Sequence, residues 1–247
     1  GVEKVIVVQN KVDLVTEEVA LANYELIKEF LQTSKFKDAP IVPMSAIHGV
    51  NLDYLLSLLE EIIPTPKRDE KADPMMFVAR SFDVNKPGSD PQKLIGGILG
   101  GVLKEGKLSV GDAIEMKPGI MIKKGDWKPI NTTIVGITTG GEKVTDVLPG
   151  GSFGILTSLD PSIVKSDQLV GSIVGKPGTL PEVHVNLYMD ITLLDRVVGS
   201  KDKLVVDQIK PKEVFMLNVN SAAPVGIVVE HNKKGTKMAL KRPVCAA

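Results

Sequence analysis

The chain has 247 residues, 43% of them hydrophobic and 24% charged, and its 30 basic and 30 acidic residues give a formal net charge of zero. This composition is typical of globular proteins, and the balanced charge argues against nucleic-acid binding by bulk positive charge. A single cysteine, Cys245, leaves no internal disulfide framework and fits a cytoplasmic location. No apolar run is long enough to span a bilayer, and the three distant histidines give no zinc-ligand spacing.

The first 63 residues alternate the patterns of strands and helices. Residues 5–8, "VIVV", form a β-branched run typical of a fully buried strand, and residues 41–44 predict a second short strand. A helix is expected after Thr16, a candidate N-cap, and another after Asn51. The order strand, helix, strand, helix predicts an α/β fold with a parallel sheet and right-handed crossovers.

Helical spacing predicts which side chains of these two helices face the sheet. In the first helix the apolar positions close to one face are Val19, Tyr24, Ile27, Phe30 and Leu31. In the second helix the apolar stripe consists of Leu52, Leu55, Leu56, Leu59 and Ile63. We expect both sets to be buried.

The chain changes character near residue 64. Residues 64–74, "PTPKRDEKADP", are rich in proline and charge and predict a domain linker. Short β-type runs separated by glycine and proline turns follow, which predicts all-β barrel domains. A second proline-containing joint lies at 175–183. We therefore expect a multidomain chain with an α/β portion at 1–68, a β-barrel at 74–178 and an incomplete second barrel at 181–247.

The stretch "VIVVQNKVDLV" brings Asn10, Lys11 and Asp13 to the carboxyl end of the first strand, where ligands bind in open α/β sheets. A carboxylate such as Asp13 can accept hydrogen bonds from both N1–H and the 2-amino group of guanine, and adenine offers no such pair of donors. Asn10 can bond the N7 side, and the alkyl stem of Lys11 can cover the base plane. The tetrapeptide alone also fits a strand-end turn in which Asn10 and Asp13 cap backbone groups.

A second loop, "MSAIHG", follows the next predicted strand, again at its carboxyl end. The two loops in this order resemble the guanine-nucleotide-binding (G) fold. The resemblance implies that the backbone N–H of Ala46 faces guanine O6 and that Ser45 steadies the loop of Asp13. It thus implies a guanine-nucleotide site formed by Asn10, Lys11, Asp13, Ser45 and Ala46.

Longer segments extend the resemblance to essentially the whole chain. They are similar to the gamma subunit of the archaeal and eukaryotic translation initiation factor two, a translational GTPase family: "VPMSAIHGVNLDYLLSLLEEIIPTPKRD", "VARSFDVNKPGSDPQKLIGGILGG", "LTSLDPSIVKSDQLVGSIVG", "LLDRVVG" and "ALKRPVCA". By this resemblance, residues 1–68 are the C-terminal part of the G domain, 74–178 are β-barrel domain II, and 181–247 are an incomplete domain III. The chain is expected to be a fragment lacking both ends of the subunit.

The resemblance also implies a function. It predicts a cytoplasmic translation initiation factor subunit, a GTP hydrolase that uses GTP and GDP with Mg²⁺. Such a subunit delivers methionylated initiator tRNA to the small ribosomal subunit. It forms a heterotrimer in which the alpha subunit docks on the second domain and the beta subunit on the G domain. No membrane partner is expected.

The phosphate-binding motif GxxxxGK[ST] is absent from the sequence. "GKLS" at 106 and "GKPG" at 175 fail the pattern, and both lie in β-type context. We expect the phosphate loop, the switch segments and the Mg²⁺ ligands to lie upstream of Gly1, so the chain itself holds no catalytic or metal residue. Because phosphoryl transfer depends on groups placed around the phosphates and Mg²⁺, the chain alone is expected to be inactive.

Two other functions compete with this prediction. One is another tRNA-delivering GTPase, either an elongation factor or the selenocysteine-specific kind, although "RSFDVNKPG" and "LDPSIVKSDQLVGS" argue against it. The other is a non-catalytic scaffold whose barrels bind partner subunits.

The remaining polar and glycine-rich features have structural interpretations. The glycine clusters at 96–101, 139–141 and 149–151 lie between β-type runs and predict barrel turns or bulges, not a phosphate cradle. His48, beside the second loop, either touches a base edge or, as is commoner, is a solvated loop residue. Arg80 either contacts aminoacyl-tRNA or forms a structural ion pair. "MIKKGDWKP" predicts an exposed hairpin around Trp127. Two lysine clusters could meet RNA phosphates, but solvated hairpin tips are the commoner place for such groups: Lys123, Lys124 and Lys128, and Lys233, Lys234 and Lys237.

Overall fold

A computed structural model shows the chain as two compact units, Gly1–Lys67 (unit 1) and Arg68–Ala247 (unit 2). The division falls within the predicted linker at 64–74, where the backbone is irregular. Most of "LLDRVVG" and the lysines Lys124, Lys233 and Lys234 lie outside the described residues. The structure describes residues 2–32, 34–90, 94–123, 125–193, 206–232 and 235–246.

Unit 1 has the predicted order of strands and helices. Its elements are β1 (Val7–Gln9), a 3-10 turn (Val12–Leu14), α1 (Glu17–Gln32), β2 (Ile41–Pro43) and α2 (Leu52–Ile62). The two strands pair in parallel, so their carboxyl ends lie at the same edge of the sheet. The backbone carbonyl of Thr16 accepts the first helical hydrogen bond of α1, from Ala20 at 3.0 Å, as expected of the residue before the helix.

Burial in the first half of unit 1 differs from the prediction. β1 is not fully buried, because the side chain of Val8 is 40% exposed. In α1 the buried face contains Leu31 and the half-buried Tyr24 and Ile27, whereas Val19 and Phe30 lie on the exposed side. The sheet of unit 1 has two strands within the described residues, so it covers only a narrow stripe of each helix.

Observed burial departs further from the prediction in α2. Its buried or half-buried side chains are Leu55, Leu58 and Ile62, and of these only Leu55 belongs to the predicted stripe. The rest of that stripe is exposed on the other side of the helix: Leu52, Leu56, Leu59 and Ile63. We call these four side chains the α2 stripe. A helix that is apolar on both sides is typical of one buried from both sides.

Unit 2 begins with an antiparallel β-barrel. Six strands form its ring in the spatial order β10, β4, β3, β11, β6 and β7, and pairing between β7 and β10 closes it. The predicted barrel is therefore present. Its elements are β3 (Met75–Phe82), β4 (Ile98–Glu105), β5 (Leu108–Ser109), β6 (Ala113–Lys123), β7 (Asp126–Thr139), β8 (Glu142–Val144), β9 (Asp146–Val147), β10 (Phe153–Thr157), the short helix α3 (Pro161–Val164), a 3-10 turn (Lys165–Asp167) and β11 (Ile173–Gly175).

The barrel is followed by an antiparallel sheet in the spatial order β12 (Val183–Met189), β15 (Gly235–Cys245), β14 (Val225–Asn232) and β13 (Val214–Met216). One face of this sheet carries a small core in which Ile209, Val228 and Met238 are almost fully buried. Within the described residues the sheet is open, with β12 and β13 at its edges.

The barrel and the C-terminal sheet share a hydrophobic cluster. Ile173 of β11, Leu180 of the connection and Cys245 of β15 are buried together, and Met75 and Phe77 of β3 pack against them. Burial of the Cys245 thiol raises its pKa. Residues of the barrel, the connection and the last strand therefore belong to one packed region, which is why unit 2 is compact from end to end.

Polar contacts reinforce this junction. The ammonium of Lys117 in β6 donates to the backbone carbonyl of Leu180 at 3.3 Å. Arg242 in β15 donates to the carbonyl of Gln168 at 3.2 Å, and its guanidinium lies 5.5 Å from the ring centroid of Trp127. The hairpin predicted at 121–129 is the turn between β6 and β7, but Trp127 is half-buried beneath Arg242 and not solvated as expected.

The glycines of β4 are explained by close packing in the barrel wall. A Cβ on Gly101 would overlap the backbone carbonyl of Phe77, whereas a Cβ on the neighbouring Gly100 would lie 3.6 Å from Arg80, an ordinary contact. The pairing of β3 with β4 shifts register between Val78 and Arg80, opposite these two glycines. The cluster at 96–101 thus lies beside a bulge in an antiparallel sheet, with no helix after it, as the sequence predicted.

The two neighbouring glycines give a matched pair of substitutions. We expect Gly101→Ala to lower the free energy of unfolding of unit 2 by about 3 kcal/mol, because the backbone of β3 must move to admit the methyl group. We expect Gly100→Ala to change it by less than about 0.5 kcal/mol. Urea denaturation of both variants measures the difference, and equal losses would contradict this account of Gly101.

Candidate functional site

The loops after β1 and β2 meet at the carboxyl edge of the parallel pair. Asn10, Lys11 and Asp13 lie in the first loop, and Ser45 and Ala46 lie in the second. The backbone N–H of Ala46 donates to Oδ1 of Asn10 at 3.0 Å, a direct bond between the loops. Parallel pairing of the two strands therefore brings together all five predicted site residues, although the two loops that carry them are more than 30 positions apart in the chain.

The first loop is a tight turn. Lys11 has the left-handed backbone conformation, with φ of 67°, and begins the 3-10 turn Val12–Leu14. The N–H of Leu14 donates to the carbonyl of Lys11 at 3.2 Å. The N–H of Val12 donates to the carbonyl of Met44, just after β2, at 3.3 Å. Backbone bonds thus fix the turn from within and from the neighbouring strand, while the side chain of Lys11 stays exposed.

Asp13 is held in its ionised form by its surroundings. The Ser45 hydroxyl is the main influence that lowers the pKa of the Asp13 carboxyl, and the charges of His48 and Lys11 lower it further. Within the described residues the buried Ser45 hydroxyl has no hydrogen bond of good geometry, but it lies close enough to Asp13 to exert this effect. The carboxylate therefore stays an acceptor-only group at neutral pH.

His48 is an exposed loop residue that lies beside Asp13. Its Nε2 lies 3.8 Å from Oδ2 of Asp13, although its side chain is 63% exposed. The distance is too long for a hydrogen bond. His48 therefore belongs to the rim of the site and leaves the lone pairs of Asp13 available to a ligand.

The site presents complementary groups to a ligand with paired donors. Asp13 offers two carboxylate oxygens, Asn10 an amide, and Lys11 an exposed alkyl stem. The N–H of Ala46, which the resemblance assigns to guanine O6, is bound by Asn10 here, so a ligand carbonyl must share it or displace Asn10. The arrangement suits a planar base with adjacent N–H donors.

Sequence reasoning missed two residues that position these loops. Gln9, the last residue of β1, is 8% exposed, and its amide donates to α1. Asn51 precedes α2 at the N-cap position, but its side chain makes no capping bond to the helix. Its amide donates to the carbonyl of Pro43 at 2.7 Å and so supports the second loop. The sequence signal that could have indicated this role is the position of each amide side chain directly beside an apolar run.

Other candidate features fall outside this site. Nε of Arg80 donates a hydrogen bond to Oδ1 of Asp167 at 3.0 Å, so Arg80 forms an ion pair within the barrel. This agrees with the structural one of its two predicted roles. The pKa of Asp167 is lowered, first by a hydrogen bond from the Ser81 N–H and then by Arg80. Arg80 is also the one charged residue among those lining an open groove of about 570 Å³ on the barrel wall. The described lysines Lys123, Lys128 and Lys237 are exposed in or beside hairpins.

The described part of the chain contains no group of three or more histidine, cysteine, aspartate or glutamate side chains that could hold a metal ion. None of its helices is long and apolar enough to cross a membrane.

The fold is similar to parts of two solved elongation factors. A bacterial selenocysteine-specific elongation factor, EF-Sec, matches 100% of this chain and 36% of its own, with a TM-score of 0.74 and 20% identity. Elongation factor SelB from Methanococcus maripaludis, solved in complex with the GTP analogue GppNHp, matches 98% of this chain and 53% of its own, with a TM-score of 0.72 and 18% identity. At such identities the likeness establishes the fold alone.

Sequence comparison finds relatives at higher identity. The gamma subunit of translation initiation factor 2 from Methanococcus maripaludis is 50% identical over 249 residues, and that from Pyrococcus furiosus is 48% identical. The family model for the C-terminal region of initiation factor eIF2 gamma matches residues 185–247. Over its full length the chain is therefore similar to gamma subunits of translation initiation factor 2. It spans 61% of the length of these two relatives.

Proposed function

We propose that the protein binds GTP and delivers methionylated initiator tRNA to the small ribosomal subunit, as a translation initiation factor subunit. The observation that carries this proposal is the joined pair of loops around the ionised Asp13, in a chain similar to these gamma subunits. Asn10, Lys11, Asp13, Ser45 and Ala46 form the guanine site. Asp13 accepts N1–H and the 2-amino group, and a wrong base would leave this carboxylate unpaired.

We propose three domains: the C-terminal part of a parallel α/β G domain at 1–68, β-barrel domain II at 74–178 and β-barrel domain III at 181–247. The parallel pairing of β1 and β2 and the exposed α2 stripe support the first of these. A second layer of the same domain would cover the stripe. The open C-terminal sheet supports the third, because further strands can pair with its edges.

We assign the phosphates and Mg²⁺ to residues outside this chain, because its sequence lacks GxxxxGK[ST]. When bound, Mg²⁺ neutralises charge on the phosphates during hydrolysis. The residues of this chain select and orient the base, a binding task that needs no movement of protons. In a phosphate-release assay we expect no GTP turnover by the 247 residues alone. Turnover that Asp13→Ala abolishes would contradict this assignment.

We propose that the nucleotide acts by changing how the G domain docks on the barrel domains, which builds or dismantles the tRNA site. Partners are the alpha and beta subunits and the small ribosomal subunit. The test is binding of the full-length protein to initiator methionyl-tRNA and to elongator aminoacyl-tRNAs, each with GTP and with GDP. Preference for the initiator, and only with GTP, is the expected result. Equal binding of both tRNAs would favour an elongation factor.

A scaffold function remains the second candidate, because the phosphate loop is missing from the sequence. In this case the barrels would hold the partner subunits without any role for nucleotide. Capture of the alpha subunit by residues 68–247 is expected under both proposals. They differ in tRNA binding: retention of tRNA without nucleotide would favour the scaffold, and dependence on GTP would exclude it.

A further inference from the structure

A buried amide marks the point where β1 gives way to the Asp13 loop. The side chain of Gln9 is 8% exposed, at a position where the preceding strand residues are apolar. Its Nε2 donates to the backbone carbonyl of Ala20 at 2.8 Å and to Oδ1 of Asn23 at 3.2 Å. Burying an amide is costly unless it is hydrogen-bonded, and here both amide protons have an acceptor on α1.

The main chain of Gln9 connects to the second loop. Its carbonyl accepts a hydrogen bond from the N–H of Met44 at 2.9 Å, immediately before Ser45. Asn10, the next residue, binds Ala46. One residue therefore links three parts of unit 1: its side chain holds α1, its carbonyl holds the end of β2, and its peptide bond leads into the loop of Asp13.

The other attachments of the Asp13 loop run to the second loop. Asn10 and the N–H of Val12 hold the loop to the second loop, but neither bonds to α1. If the amide of Gln9 were lost, the end of β1 and the Asp13 loop would lose these bonds to α1 and could shift relative to Ser45 and Ala46, which are proposed to bind the same base. Paired hydrogen bonds tolerate displacements of only about 0.5 Å, so a small shift would misalign the Asp13 carboxylate with two donors on one base.

We infer that Gln9 is a positioning residue for guanine selection, and that its bonds to Ala20 and Asn23 set the direction of the Asp13 carboxylate. This inference rests on the proposed function, because it assigns selectivity to the same site. Gln9 touches no ligand itself. Its loss should reduce discrimination between bases more than it reduces nucleotide binding in general.

Two nucleotides whose bases differ by one hydrogen-bond donor can measure this loss of discrimination. Inosine diphosphate (IDP) lacks the 2-amino group of GDP, so the ratio of their dissociation constants reports the second hydrogen bond to Asp13. In the full-length wild-type protein we expect GDP to bind at least about tenfold more tightly than IDP, the usual effect of a hydrogen bond to a charged group. Isothermal titration calorimetry measures both constants.

The variants are Gln9→Leu, which keeps the volume and removes both donated bonds, and Asn23→Ala, which removes one acceptor at an exposed position. Gln9→Leu should reduce the GDP preference to about twofold, and Asn23→Ala should reduce it about threefold. Gln32→Ala, at the far end of the same helix, is the matched control and should leave the ratio unchanged. If Gln9→Leu does not fold, Asn23→Ala decides the question.

The outcomes separate the inference from the proposed function. Wild-type selectivity that persists in Gln9→Leu, with both dissociation constants changed equally, would show that Gln9 has a structural role only and overturn the inference. Unchanged selectivity in a folded Asn23→Ala would do the same if it is the only variant available. A wild-type protein that binds neither nucleotide, or both equally, would overturn the proposed function and this inference with it.

Discussion

Asp13→Asn is expected to exchange guanine for xanthine specificity. The amide of the variant has one acceptor, for the N1–H of the base, and one donor, which faces the 2-amino group of guanine without an acceptor. Xanthine carries an oxygen at that position and therefore pairs with the amide. We expect GDP affinity to fall about 100-fold or more, because the bond to the 2-amino group is lost, the bond to N1–H loses its charge, and two donors face each other without an acceptor. Affinity for xanthosine diphosphate (XDP) should rise.

Competition between labelled GDP and unlabelled GDP, XDP and ADP in the full-length protein measures this exchange. Asp53→Asn in the first turn of α2 is the matched control, since it makes the same chemical change away from the two loops. It should leave all three affinities unchanged. If Asp13→Asn bound GDP as tightly as the wild type, the Asn10–Asp13 loop would not be the guanine-reading element, and the strand-end turn would be the better account.

The second large effect concerns folding of the two units in isolation. Among the described residues, four hydrophobic side chains are buried in unit 1, namely Leu31, Val42, Met44 and Leu58, against 24 in unit 2. Unit 1 as a separate peptide is therefore expected to be unfolded or aggregated, because so small a core cannot offset its conformational entropy. Unit 2 alone should unfold cooperatively, because the shared cluster joins its barrel to its C-terminal sheet.

Circular dichroism melts and NMR spectra of residues 1–67 and 68–247, expressed separately, provide the measurement. A cooperative melt of 1–67 with dispersed resonances would contradict the expectation. The α2 stripe gives an internal check on the cause. Leu56→Gln should be close to neutral in the 247-residue chain, where Leu56 is 54% exposed, and should destabilise the full-length protein by about 2 kcal/mol if a further layer covers the stripe.

The sequence was sufficient for the elements of unit 1 and for the residues that form its loops. The two predicted strands lie within two residues of β1 and β2, because β-branched runs bounded by polar turns have few other structures available. Pairing of these strands explains why the five site residues are adjacent. Their role in binding guanine stays a prediction that Asp13→Asn tests.

Burial of the helices was not predictable in the same way. In α2 both sides are apolar, and periodicity cannot tell which side packs on the strands, so Leu56 and Leu59 were expected inside and lie outside. Strand order in the barrel, such as β3 beside β11, depends on contacts between residues about 100 positions apart and leaves no local signal. Gln9 was missed for a related reason, since its amide is stabilised by acceptors on α1.

Ring closure in the barrel decides how other molecules can recognise it. Every strand of the ring has a partner on both sides, so few backbone groups are left to pair with an incoming chain. A binding partner must therefore contact the side chains and loops of the barrel, and a substitution among them changes the complementarity of the two surfaces. The described C-terminal sheet has free edges at β12 and β13, which any extended segment can join with little regard to its sequence. Substitutions on the outer surface of the barrel are therefore expected to change recognition more than substitutions at the edges of the sheet.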